Sequence, residues 1–181
     1  GEWNVIEHII HRTKYFQLDP IICTSTDPSD DILEEIAQNE GVKVFRGSMI
    51  NKLKRWYDCC NHFNIDKFHT VDADDPFFDG NLMKQSMMLL EEGYDVVCPT
   101  ESSSAGNASV GYSLTKEIIR KALELVDEDA DTEMMWHYID KVRGHKKIVL
   151  PDTDPNRPVA RLTLDYEEDY WLLHTVQRVV G

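Results

Sequence analysis

Asp72-Ala73-Asp74 closes the strand-like run Phe68-His69-Thr70-Val71 and is followed by Asp75-Pro76. Alternate side chains of an extended segment share a face, so Asp72 and Asp74 point the same way with one small residue between them. Carboxylates that close repel each other. A hard cation such as Mg²⁺ relieves the repulsion, taking one or two protein carboxylates while phosphate oxygens and water complete its octahedral shell. Pro76 fixes the turn that follows. The plainer reading is a solvated acidic turn that caps the next helix, and composition and spacing alone favour it.

Asp165 stands at a comparable place, after the strand-like run Arg161-Leu162-Thr163-Leu164 and three residues before Glu168. That spacing suits a capping box at a helix start. If both runs end at one sheet edge, Asp165 instead supplies a second carboxylate opposite Asp74. Arg46-Gly47-Ser48 also lies between a strand and a helix, where glycine permits close backbone approach and exposed N–H groups favour an anion. Ser48 as an ordinary N-cap is the simpler alternative. Arg55, further along that helix, reaches either a phosphate or a surface acid.

Other residue types carry less. His8 and His11, and Glu133 and His137, have helical spacing but lack the further ligands of a zinc centre. No nucleophile-elbow serine or Cys/His arrangement is evident, so covalent catalysis has no agent.

These groups need a scaffold, and the chain reads as one domain of 181 residues. Its 33 acidic and 19 basic residues give a formal charge of -14, with no segregated basic face, which excludes nucleic acid as a partner. A nucleoside triphosphate remains admissible because a divalent cation bridges carboxylates to phosphates. The four cysteines, Cys23, Cys59, Cys60 and Cys98, have neither zinc spacing nor the density of a secreted scaffold. They read as reduced thiols of a cytoplasmic protein. No apolar run approaches the roughly 20 residues of a membrane span, and no signal sequence is visible.

Apolar runs alternate with segments of helical period, the pattern of a three-layer α/β domain. Helices are expected near residues 5–16, from Asp27-Pro28 to Gly41, around Ile50 to Cys60, and over 80–92, 116–126 and 132–142, with a last one after Asp165. Strands are expected at residues 21–24, 42–45, 68–71, 95–98, 148–150 and 161–164. Residues 101–107 and 152–158 read as loops. Right-handed crossovers bring strand ends to one edge, where ligands of such sheets bind. The sheet is expected to be mixed and mainly parallel.

Taken in order, several segments resemble the cytidylyltransferase family of spore-coat polysaccharide synthesis and, more distantly, synthetases of CMP-linked sugar acids. They are Ile22-Cys23-Thr24-Ser25 with Asp30-Asp31, Val44-Phe45-Arg46-Gly47-Ser48 with Leu53 and Arg55, Asp74-Asp75-Pro76, and Arg161-Leu162-Thr163-Leu164-Asp165 with Glu168-Asp169. The resemblance implies a Rossmann-like nucleotidyltransferase fold and attack of a sugar hydroxyl or phosphate on the α-phosphate of CTP, with release of pyrophosphate. It implies Mg²⁺, with Mn²⁺ as substitute, held by Asp74 and Asp165. By the same comparison Arg46, Gly47, Ser48, Arg55 and Asp72 fall on the nucleotide side, Gly111, Tyr112 and Glu133 on the acceptor side, and two copies pair as a homodimer. Asn51 stands where the family carries Asp. The family opens with a strand and a Gly/Arg/Lys loop that holds the triphosphate, and the chain is expected to lack both, which leaves its own activity open. Two other classes fit the same residues: a nucleotide-sugar glycosyltransferase with an Asp-x-Asp cation site, and a non-catalytic interaction module of the same fold.

Overall fold

Asn4 accepts the Glu7 N–H, and the Glu7 carboxylate accepts the Asn4 N–H. This reciprocal cap satisfies two N–H groups that the first turn leaves unpaired and starts α1 (Val5–Tyr15). The structure, a computed structural model, describes residues 3–127, 129–152 and 160–180. The expected loop at 152–158 lies outside the described residues beyond Asp152.

After Pro20 the chain enters β1 (Ile21–Ser25), which pairs in parallel with β2 (Lys43–Gly47). Between them Asp27 caps a 3-10 turn at Pro28–Asp30, and α2 (Asp31–Glu40) follows. Gly41 ends α2 with φ 65°, a left-handed conformation that costs glycine little. Next come α3 (Lys52–Phe63), β3 (Lys67–His69), α4 (Gly80–Glu91) and β4 (Val96–Cys98). The chain finishes with β5 (Ser113–Thr115), α5 (Lys116–Leu123), α6 (Trp136–Ile139), β6 (Lys147–Val149) and α7 (Glu167–Val180).

Strands β3, β5, β4 and β6 form one sheet in that order. β5 is antiparallel to both β3 and β4, and β6 is parallel to β4. Hence β3, β4 and β6 point the same way and end along one edge. Among the described residues no strand joins this sheet to the β1–β2 pair.

The sheet's alternation divides the core. Val96, Cys98 and Leu114 face one cluster with Leu53 of α3, Ile118 and Ile119 of α5, and Ile139 of α6. Val97 faces the other, with Leu82, Met83 and Leu90 of α4 and, from the α1 side, Ile9, Phe16 and Leu18. Helices thus cover both faces, giving the three layers expected.

Several local expectations change. β5 was not anticipated, because one leucine between Ser113 and Thr115 gives no readable alternation before a helix begins. The expected loop at 101–107 is helical, ending in a π-type turn at Ser103–Asn107. The Ser103 hydroxyl accepts the Ser109 and Val110 N–H groups and donates to the Val110 carbonyl, so a short polar segment folds on its own side chain. The helix expected over 132–142 shrinks to α6, since Thr132 is drawn to the start of α3. Residues 161–164 form no ladder strand; Leu162 N–H reaches the Gly106 carbonyl and Leu164 N–H the Asp74 carbonyl, two different segments.

Candidate active site at the end of β3

Beyond β3 the chain is led past the start of β5. Thr70 N–H donates to the Tyr112 carbonyl at 2.8 Å, and Tyr112 N–H donates to Thr70 Oγ1 at 3.0 Å. Gly111 lies against Thr70 so closely that a Cβ there would sit 2.0 Å from the Thr70 carbonyl oxygen. Its N–H donates to His69 Nε2 at 3.2 Å. His69 Nδ1 lies 2.7 Å from Ser113 Oγ. Burial pushes the imidazole down to about 3, so it is neutral, with Nε2 the acceptor and Nδ1–H the donor.

The next residues curl. Asp75 N–H donates to the Asp72 carbonyl at 3.0 Å, closing a turn that gathers Asp72, Asp74 and Asp75. Across from them, the Leu164 N–H donates to the Asp74 carbonyl at 2.8 Å and delivers Asp165. The two acids singled out from separate parts of the sequence therefore meet at the edge where β3 ends.

The electrostatics of the cluster follow. Burial raises the Asp74 carboxyl above the usual carboxylate range, and the charges of Asp72 and Asp165 raise it further, partly offset by a hydrogen bond from its own backbone and by Lys52. Asp75 is pushed up to about 7, first by burial and then by Asp74, Asp72 and Asp165. The folded state thus holds a proton on Asp75 that the unfolded chain, near 3.8, has released. Stability from this group is complete at low pH and is lost as pH rises through about 7. Asp75→Asn is expected to stabilise the metal-free protein at pH 8 by about 1 kcal/mol after allowing for solvent screening, and not at pH 4. Thermal melting at the two pH values measures this.

The flanking residues are fixed by their own partners. Arg161 pairs with Asp165 and, at 2.9 Å, with Asp169. Asp169 Oδ2 accepts the N–H groups of Asp165 and Tyr166, both at 3.0 Å. The carboxylate serving the start of α7 is therefore Asp169, and the expected Asp165/Glu168 capping box is replaced by this arrangement. Asp165 keeps its carboxylate paired with Arg161, near enough to the cluster for its charge to be felt at Asp74.

Lys52, the first residue of α3, was not singled out from sequence. Its ammonium lies 3.3 Å from Asp72 and 3.0 Å from Glu133. Burial works against its charge, yet Asp72 and Glu133 together hold its pKa above the ordinary value. Through Lys52, Glu133 joins the site across 81 positions of chain, a separation that no local pattern reveals. His69 was missed for the same reason, since its partners lie at Gly111 and Ser113.

The β2–α3 segment stands differently. Arg46 is committed to Asp31 at 2.7 Å, Glu34 at 3.1 Å, and the carbonyls of Ser25 and Asp27. Ser48 Oγ accepts the Asn51 N–H, while Asn51 itself caps α3 by accepting the Lys54 N–H, which corrects the alternative of Ser48 as N-cap. Arg55 donates to the carbonyls of Ser48 and Met49. A Cβ on Gly47 would meet Phe45 at 2.9 Å and Arg55 at 3.2 Å. Arg46, Gly47, Ser48 and Arg55 therefore brace one loop, and among the described residues no hydrogen bond or ion pair links them to the acid cluster. Tyr112, raised to about 12 by burial, keeps its phenol protonated beside Gly111.

Among the described residues no three His, Cys, Asp or Glu side chains converge as a complete ligand set. The Asp74 and Asp165 carboxylates, from separate segments and within reach of each other's charge, nevertheless have the donor chemistry of a Mg²⁺ or Mn²⁺ site whose remaining positions go to phosphate oxygens and water.

No family model matches the chain. By sequence it is similar to an uncharacterised protein of Methanocaldococcus jannaschii, 27% identical over 98% of this chain and 74% of the relative. It is also similar to the spore coat polysaccharide biosynthesis protein SpsF of Bacillus subtilis, 24% identical over 98% of this chain and 76% of the relative. Among solved structures, a cytidylyltransferase of Leptospira borgpetersenii superposes with TM-score 0.85 at 21% identity, over all of this chain and 79% of that one. A 4-diphosphocytidyl-2C-methyl-D-erythritol synthase superposes at TM-score 0.69 and 12% identity, over 98% and 90% of the two chains. The CMP:2-keto-3-deoxy-manno-octonic acid synthetase complexed with CTP does so at 0.62 and 12%, over 97% and 86%. The α/β fold with its mixed sheet is that of the cytidylyltransferases, as the resemblance implied.

Proposed function

We propose that the protein transfers a cytidylyl group from CTP to a sugar or sugar-acid acceptor for a cell-surface polysaccharide, with release of pyrophosphate. The observation that carries this reading is the meeting of Asp74 and Asp165 through the Leu164 N–H bond to the Asp74 carbonyl. It occurs at the carboxyl edge of a sheet whose fold is shared with cytidylyltransferases, one of them solved with CTP. The SpsF likeness supports the polysaccharide.

In this reading Asp74 and Asp165 hold Mg²⁺, or Mn²⁺ in its place, with Asp72 alongside. When bound, the cation would offset the charge of the triphosphate and polarise the phosphoryl group whose phosphorus is attacked. The braced loop of Arg46, Gly47, Ser48 and Arg55 borders the nucleotide, its side chains fixing the backbone. Gly111, Tyr112 and Glu133 border the acceptor. Neutral His69 orders the β3–β5 crossing beneath them. The reaction belongs in the cytoplasm, where free thiols such as these four stay reduced.

Calorimetry with CTP and UTP, each with and without Mg²⁺, tests the reading. Cation-dependent binding with preference for CTP is expected. Nucleotide binding that ignores both the cation and the base would overturn it.

A further inference from the structure

Lys52 has an uncommon placement for a surface-region lysine. Its side chain is 13% exposed, whereas its partners Asp72 and Glu133 are 57% and 68% exposed. The ammonium therefore lies beneath its carboxylates, 5.3 Å from the Trp56 ring centroid. A buried charge held in place differs from the mobile surface pair that contributes almost nothing.

Both segments that it spans are independently fixed. Thr132 Oγ1 accepts the Leu53 N–H at 3.0 Å and donates to Asn51 Oδ1 at 3.1 Å, and Thr132 N–H reaches the Ile50 carbonyl. Thr132 and Asn51 are 0% and 1% exposed, so Glu133 is carried on a segment locked to the start of α3. The Asp72 side is fixed by the Asp75 N–H bond to the Asp72 carbonyl. The acid cluster consequently has one internal cation on each flank, Arg161 at Asp165 and Lys52 at Asp72.

We infer that Lys52 is a positioning residue and the site's resident counter-charge: it ties the Glu133 segment to the β3 turn, competes with a free divalent cation for Asp72, and attracts the phosphate chain. The inference rests on the nucleotidyltransferase reading and adds to it a balance between two ligands of opposite charge. A lone divalent cation is repelled by the ammonium and must share Asp72 with it. A cation already carrying a polyphosphate arrives with net negative charge and is drawn to it. Removing Lys52 therefore shifts the two affinities in opposite directions.

The test uses Mn²⁺ alone and Mn²⁺ with inorganic tripolyphosphate, titrated calorimetrically into the wild-type protein, Lys52→Met and Lys52→Arg. Lys52→Met is expected to bind Mn²⁺ alone about fivefold more tightly and Mn²⁺–tripolyphosphate about tenfold more weakly. Lys52→Arg, which keeps the charge, returns both affinities towards wild type. A residue serving only the fold would weaken both ligands together when removed, and an idle one would change neither. Either result overturns the inference, as does a wild-type protein that ignores Mn²⁺–tripolyphosphate. Tripolyphosphate carries no base, so a failure here is distinct from the failure of CTP to be preferred over UTP.

Discussion

Asp74→Asn is expected to lower the affinity for Mn²⁺-loaded nucleotide by about a hundredfold or more, since losing even a group that only hydrogen-bonds a metal's ligand costs ten- to a hundredfold. The substitution is close to isosteric and leaves the Asp74 carbonyl free to accept the Leu164 N–H. Its effect on folding has the opposite sign. The folded-state pKa of Asp74 lies above its ordinary value through burial and the neighbouring acids, so the ionised carboxylate opposes folding at neutral pH. A neutral amide removes that cost, and the melting temperature of Asp74→Asn should be unchanged or raised. Loss of binding in a protein at least as stable as wild type identifies a ligand group. Retained affinity would show that Asp74 is only part of an acidic turn.

Gly111→Ala is expected to destabilise the protein by about 3 kcal/mol, the upper end of the usual cost of overpacking. In a chain of this size that corresponds to a fall in melting temperature of roughly 6–12 °C. The reason is space. The added Cβ would lie 2.0 Å from the Thr70 carbonyl oxygen and 2.8 Å from Thr70 Oγ1, and the former is backbone that cannot rotate away. To relieve the contact, β3 and β5 must separate where Thr70 and Tyr112 exchange hydrogen bonds. That separation moves the Asp72–Asp75 turn as well, so metal-dependent affinity should fall with stability. Denaturant unfolding alongside nucleotide titration measures both, and wild-type stability would place Gly111 outside the tight crossing.

The elements with strong periodicity were legible from residues alone. Pro28 opens the helical stretch after β1, Gly41 ends α2, and Val96-Val97-Cys98 divides its side chains between two cores, all through local rules. What was not legible depends on distant partners. Ser113-Leu114-Thr115 becomes a strand only because Lys67 to His69 and Val96-Val97 flank it on both sides. Arg161 to Leu164 has strand composition, yet it is held by single bonds to Gly106 and Asp74. In the site, Asp74 and Asp165 were visible as acids following strand-like runs. Lys52 was hidden because nothing near it in sequence marks a lysine for burial between Asp72 and Glu133. Arg46 shows the converse, a cation in a suggestive motif that is occupied by Asp31 and Glu34 of α2.

In the proposed function Asp74 and Asp165 together hold the cation of a bound nucleotide. Crystals grown with Mn²⁺ and CTP allow the ion to be located by its anomalous scattering. One Mn²⁺ is expected, coordinated by carboxylate oxygens of both Asp74 and Asp165 and by phosphate oxygens of CTP. Mn²⁺ and CTP bound away from these two carboxylates would contradict it.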